Sequence, residues 1–149
     1  MNATRIFLLL AIAFAAVFPA TADLAKAKAE QNLEHRSKLA LDNATEQLKA
    51  AREAYNKGDA EQVNARLTEV DESVELAYQS LQQTNKDPRK SPKWFKGAEI
   101  STRDLVRKLD AFEQDMSFNE RGGVEKVKAK VQQVHDDLLL GLMEGKKHK

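Results

Sequence analysis

Four stretches of this chain carry apolar residues at alternating steps of three and four, and each is closed by glycine, proline or a run of polar residues. Side chains return to one face of an α-helix about every 3.6 residues, so each stretch describes a helix with a narrow apolar stripe. The second stripe is the most regular: Val63, Leu67, Val70, Val74, Ala77 and Leu81. The first holds Leu33, Leu41, Ala44, Leu48, Ala51 and Tyr55; the third Phe95, Ala98, Thr102, Leu105, Leu109, Phe112 and Met116; the fourth Val124, Val127, Val131, Val134, Leu138 and Leu142. The spacing predicts helices over about 24–56, 60–84, 92–116 and 120–144.

The residues between the stripes read as helix ends. Lys57-Gly58 breaks the first helix, and Asp59 with Gln62 forms a capping pair for the second. Asn85-Lys86-Asp87-Pro88-Arg89-Lys90 is the longest irregular stretch, after which Ser91-Pro92 places an N-cap before proline at the first helical position. Ser117 and Glu120 form a capping box for the fourth helix, whose regular part Gly122-Gly123 could delay to Val124. Narrow stripes cannot be buried one at a time. The expectation is an all-α domain, an antiparallel up-down-up-down four-helix bundle with a long first helix. Two helical hairpins, stacked as in a short solenoid, are the other arrangement these stripes allow. The turn Tyr55-Asn56-Lys57-Gly58-Asp59, with Val63, Leu67 and Val70 after it, resembles the inter-helix turn of tetratricopeptide repeats. That resemblance implies stacked helix pairs, but the first helix is too long for such a repeat and no matching turn recurs at its period.

Ahead of the first stripe stand one basic residue, Arg5, the uncharged run Ile6 to Phe18, and Pro19-Ala20-Thr21-Ala22. This order reads as a secretory signal over 1–22, with small residues Ala20 and Ala22 placing cleavage between Ala22 and Asp23. As a helix the thirteen-residue run would rise only about 20 Å, short of a hydrocarbon core of about 30 Å, so a cleaved signal is expected rather than an anchor. The domain would then occupy 23–149 and work in the periplasm or outside the cell, with no transmembrane span. Arg5 is the only cation lost with the signal, which leaves 23 basic residues against 23 acidic ones. No field for nucleic acid follows from that balance. Cysteine is absent, which excludes disulfides, thiolate metal sites, covalent c-type haem and a lipid-modified cysteine.

Nothing in the chain pairs a nucleophile with a base, and neighbouring carboxylates such as Asp71-Glu72 and Asp136-Asp137 point along different helix faces. The expectation is therefore a non-enzymatic protein without a cofactor. Its alternative is a haem or metal carrier of the exported helical-bundle type, for which His35 and His135 are the candidate ligands. Helix geometry sets His35 about 160° from its stripe, toward solvent, and His135 about 50° from its own, at the core's edge. No Glu-x-x-His occurs, so the di-iron pattern is missing.

The more informative feature is a basic end. Lys86, Arg89, Lys90, Lys93 and Lys96 face a single acid, Asp87, with Trp94 and Phe95 among them, and the tail adds Lys146, Lys147 and Lys149. In an up-down order these runs lie at the same end. Such a patch suits an anionic envelope component or an acidic protein partner, with Trp94 as an anchor. Leu76, Ile100 and Leu140 point away from their stripes, which would permit a homo-oligomer. Asn43-Ala44-Thr45 is formally a glycosylation sequon, with Asn43 facing away from the first stripe.

Overall fold

The structure, a computed structural model, describes residues 20–145, and side chains from Asp23 onward. The expected signal up to Pro19 and the tail lysines Lys146, Lys147 and Lys149 lie outside the described residues. Every regular element described is helical: α1 (Ala20–Ala29), α2 (Leu33–Asn56), α3 (Ala60–Gln83), α4 (Pro92–Asp115), a 3-10 turn (Phe118–Glu120) and α5 (Gly122–Glu144). No helix among them is long and apolar enough to cross a membrane.

The expected first helix is two helices. Asn32 ends the approach and caps α2, its side chain accepting from the backbone N–H of Glu34 (3.1 Å) and of His35 (3.0 Å). Arg36 Nε closes the corner by donating to the Glu30 carbonyl at 2.7 Å. The break lets α1 fold back over α2 and α3, where Leu24 and Ala27 are buried. At the next junction the Asp59 side chain accepts from Gln62 N at 3.0 Å, as its spacing implies. Ser91 precedes Pro92 but makes no capping bond. Ser117 and Glu120 do bond each other, yet they bracket the 3-10 turn while α5 starts at Gly122.

The closest packing is α2 on α3 and α4 on α5; beyond that, α3 lies on α5 and α2 on α4. Lys86 meets Glu34 at 2.6 Å and Trp94 meets His35 at 5.3 Å, so α3 ends and α4 begins beside the start of α2. Tyr55 and Phe112, 5.7 Å apart, join the far ends of α2 and α4. Successive helices thus alternate in direction, while the neighbours across the two hairpins run parallel. A bundle of purely antiparallel neighbours would set α5 against α2; here α5 packs on α4 and α3. The link 84–91 explains the difference, because it is long enough to carry the chain diagonally from α3 to the side of α2, whereas residues 57–59 allow only a tight reversal.

Val70, Val74, Leu81, Leu105, Leu109, Phe112, Val124 and Val131 form the fully buried centre. Ion pairs stitch the rim: Lys128 to Asp110 (3.1 Å) and to Glu113, Lys130 to Glu75, and Arg52 to Asp115. The hydrogen bond to Glu113, and then that to Asp110, push the Lys128 ammonium above its ordinary range. Exposed pairs of this kind contribute at most about 1 kcal/mol each, so the apolar stripes hold the fold.

Two side chains sit differently from their helical-wheel positions. Leu76 is partly buried against the core. Asn43 is buried as well: its Nδ2 donates to Glu69 Oε1 (3.0 Å) and Ser73 Oγ (2.9 Å), and its Oδ1 accepts from Gln47 Nε2 (3.2 Å). Arg66 extends the chain of bonds to Gln47 Oε1 at 3.0 Å. The reason is that α2 touches α1, α3 and α4 together, so its buried arc is wider than its apolar stripe. A sequon at Asn43 is closed to any glycan in this fold.

Candidate functional site

The basic end is assembled from the 84–91 link, the first turns of α4 and the end of α5. Within the link, Asp87 takes the backbone N–H of Arg89 on Oδ1 (2.9 Å), and the Lys90 and Ser91 amides return to its carbonyl. This local turn leaves the side chains of Arg89 and Lys90 pointing outward and exposed. Proline at the first position of α4 then starts the helix, and Lys93 and Lys96 stand exposed one turn apart.

The end of α5 closes on the same link. Gly141 lies so near Pro88 that an added Cβ would come within 3.3 Å of the ring, and one on Gly145 would come within 3.0 Å of Arg89 Cδ. Gly145 also has φ +77°, a left-handed conformation suited to glycine, which turns the chain out of the helix. The link and the C-terminal end of α5 therefore share one pole of the molecule.

Not every cation there is available. Lys86 is spent on Glu34 of α2 at 2.6 Å. Arg89, Lys90, Lys93 and Lys96 have no ion pair among the described residues, so four uncompensated charges remain on this surface. Lys93 Nζ stands 5.2 Å from the centre of the Trp94 ring, a cation–π distance. Trp94 is half-buried, packed on the core and against the exposed His35 ring. Phe95, the first residue of the third stripe, is core.

The two candidate haem ligands are not brought together. His35 rests on Trp94 at the α2 side of α4, whereas His135 faces Glu99 on the α5 side. His135 Nδ1 is 3.7 Å from Glu99 Oε1, and the same oxygen has Arg103 Nε at 3.6 Å. That nitrogen is buried without a hydrogen-bond partner. Among the described residues no group of three or more His, Cys, Asp or Glu is placed to hold a metal ion.

Of the clefts on the surface, one lies at each pole. At the pole opposite the cations, a cleft of about 660 Å³ lies between Tyr55, Asp59, Met116 and Gly123. Its walls are tied internally, since the Tyr55 hydroxyl donates to Glu120 Oε2 at 3.0 Å and accepts from Ser117 N at 3.1 Å. A smaller cleft of about 240 Å³ separates α2 from α4 beside the basic end, with Ser37, Leu41, Lys93, Trp94 and Gly97 on its walls. Neither cleft has a signature in the apolar stripes, because both depend on how close two helices approach.

Compared with known proteins, the chain matches no protein-family model and no curated protein. Its class rests on the structure: an all-helical protein of two packed hairpins with an extra N-terminal helix.

Proposed function

We propose that this chain is an exported, non-enzymatic helical-bundle protein that binds an anionic envelope component or an acidic protein partner through its basic, tryptophan-bearing end. The observation that carries this reading is the set of four exposed cations without ion pairs, Arg89, Lys90, Lys93 and Lys96, on one pole beside a half-buried indole. Unpaired charge keeps its full attraction for an anion, and a partly buried aromatic adds apolar contact at little entropic cost. Lys146 and Lys147 follow Gly145 in the sequence and lie outside the described residues. The export component rests on the order of residues 1–22. The expected cleavage point falls inside α1 (Ala20–Ala29), and Leu24 and Ala27, which seat that helix, both follow it.

The test is sedimentation of the purified protein with phosphatidylglycerol-containing vesicles, and with cell-envelope extracts, at low and high ionic strength. Binding should weaken as the Debye length shrinks from about 30 Å at 0.01 M salt to about 3 Å at 1 M. Each lysine near an anionic surface contributes about 1 kcal/mol, so reversing two charges in Lys90→Glu/Lys93→Glu should cost more than about tenfold in affinity. No binding to either target at low salt, or binding that ignores the double reversal, refutes the reading.

A further inference from the structure

We infer that the cleft between α2 and α4 is a binding site for a small organic monocarboxylate, with its apolar body against Trp94 and Leu41 and its carboxylate at Lys93 and Ser37. This goes beyond the basic end: the cleft faces between two helices, and only Lys93 and Trp94 are shared with the outward patch.

Four observations converge on it. First, no side chain covers the α4 wall of the cleft at Gly97: that glycine is exposed, and a Cβ built on it meets no atom within 4 Å. Glycine inside a helix weakens that helix, and neither the packing nor a positive φ requires one here. Second, Ser37 is only 2 % exposed and lines the cleft, yet its hydroxyl has no hydrogen-bond partner among the described residues. The hydroxyl oxygen is not sealed off from solvent, so a ligand in the cleft can reach it as a donor. Third, Lys38, Asp42 and Lys93 all line the cleft, and their charges leave one cation over. Lys38 is neutralised by Asp42 at 2.6 Å, whereas Lys93 has no carboxylate partner and sits 5.2 Å from the indole centre. Fourth, the size limits the ligand. At about 240 Å³ the cleft lies below the range of about 300–1,000 Å³ typical for drug-sized molecules, which fits one ring or a short chain.

Trp94 is the only tryptophan in the chain, so its indole N–H gives a single resonance in an amide-correlation spectrum, a probe on the wall of this cleft that the Lys90→Gln control separates from the outward patch. The protein, produced with its own first residues in an exporting host, is titrated with benzoate and hexanoate and, for comparison, with benzyl alcohol and hexylamine. Expected is a saturable shift of the indole resonance with the acids, and binding about fivefold weaker for the alcohol and weaker still for the amine, the loss of one exposed ion pair. Gly97→Leu should keep the helical circular dichroism, since its Cβ has room, and should weaken acid binding at least about tenfold by filling the cleft. Lys93→Gln, on the surface, should bring the acids down to the level of the alcohol. Lys90→Gln should leave acid binding unchanged, which separates this site from the outward patch. No saturable shift with either acid, an amine that binds as well as the acids, or acid binding that survives both Gly97→Leu and Lys93→Gln overturns the assignment. Vesicle binding lost or kept in those same samples bears on the basic end alone.

Discussion

Replacing Asn43 by alanine tests whether the polar seam between α2 and α3 holds those helices together. The side chain makes three hydrogen bonds of 2.9–3.2 Å, to Ser73, Glu69 and Gln47. A neutral buried bond contributes about 1 kcal/mol net, and one to a charged group about 1.5–3 kcal/mol. Removing the amide also strands its partners, of which Ser73 is 0 % and Glu69 9 % exposed. A cleft beside α1 reaches Glu69, and hydration through it would offset part of that loss. The expected destabilisation is about 3 kcal/mol, a large fraction of the roughly 5–15 kcal/mol that keeps a domain folded. For a chain of this length it corresponds to a fall of about 10 °C in Tm. Urea unfolding followed by far-ultraviolet circular dichroism measures it, provided the m-value stays constant. Thr45→Ala is the control: its hydroxyl only returns to the Leu41 carbonyl of its own helix at 3.1 Å, and the change should stay within about 0.5 kcal/mol. An Asn43→Ala loss below about 1 kcal/mol would mean that water replaces those bonds freely and that the seam is not a buried network.

Asn32→Ala removes the cap of α2 and should cost about 1 kcal/mol, with faster hydrogen exchange confined to the first turn of α2; protection unchanged there would count against the corner at Glu30–Asn32. The hydrogen bond from Lys130 holds the Glu75 carboxyl below its ordinary value of 4.5, so this pair stabilises the fold above that pH and ceases to do so as pH falls through the lower folded value. Because the Glu75 side chain is 35 % exposed, Glu75→Gln should lose under about 1 kcal/mol at neutral pH and nothing at the acid end. Two stability curves that stay parallel down to acid pH would contradict it.

Periodicity made the helices readable because an apolar stripe at three-and-four spacing has no other regular solution. α3 and α4 begin at Ala60 and Pro92, where the capping pair and the proline stand in the sequence. Periodicity is blind to polar residues that are buried, so Asn43, Gln47, Glu69 and Ser73 were invisible to it. They are enclosed because α2 has three neighbours, with Ala40, Ala44, Ala51 and Ala54 small enough for close approach. The same blindness hid the corner at Asn32, an asparagine that reads as one more polar residue until it is seen to accept two backbone N–H groups. At the basic end the cations themselves were legible. The pairing of Lys86 with Glu34 was not, since the two meet only through the path of the 84–91 link. Gly97 gave no signal either, because open space above a glycine is a property of two helices and not of one.

The parallel order of α2 with α4 and α3 with α5 gives the molecule a direction. Pairs laid first on first and second on second close a four-membered cycle, α2–α3–α5–α4, with one hairpin on each outer side. α1 lies on the α2–α3 side alone, seated by Leu24 and Ala27. On the α4–α5 side Ile100, Leu140 and Met143 stand 54 %, 45 % and 70 % exposed. One side of the fold is thus covered by a helix and the other bears exposed apolar residues, so a design lengthened by a further helix pair would find its apolar partner surface on α4 and α5.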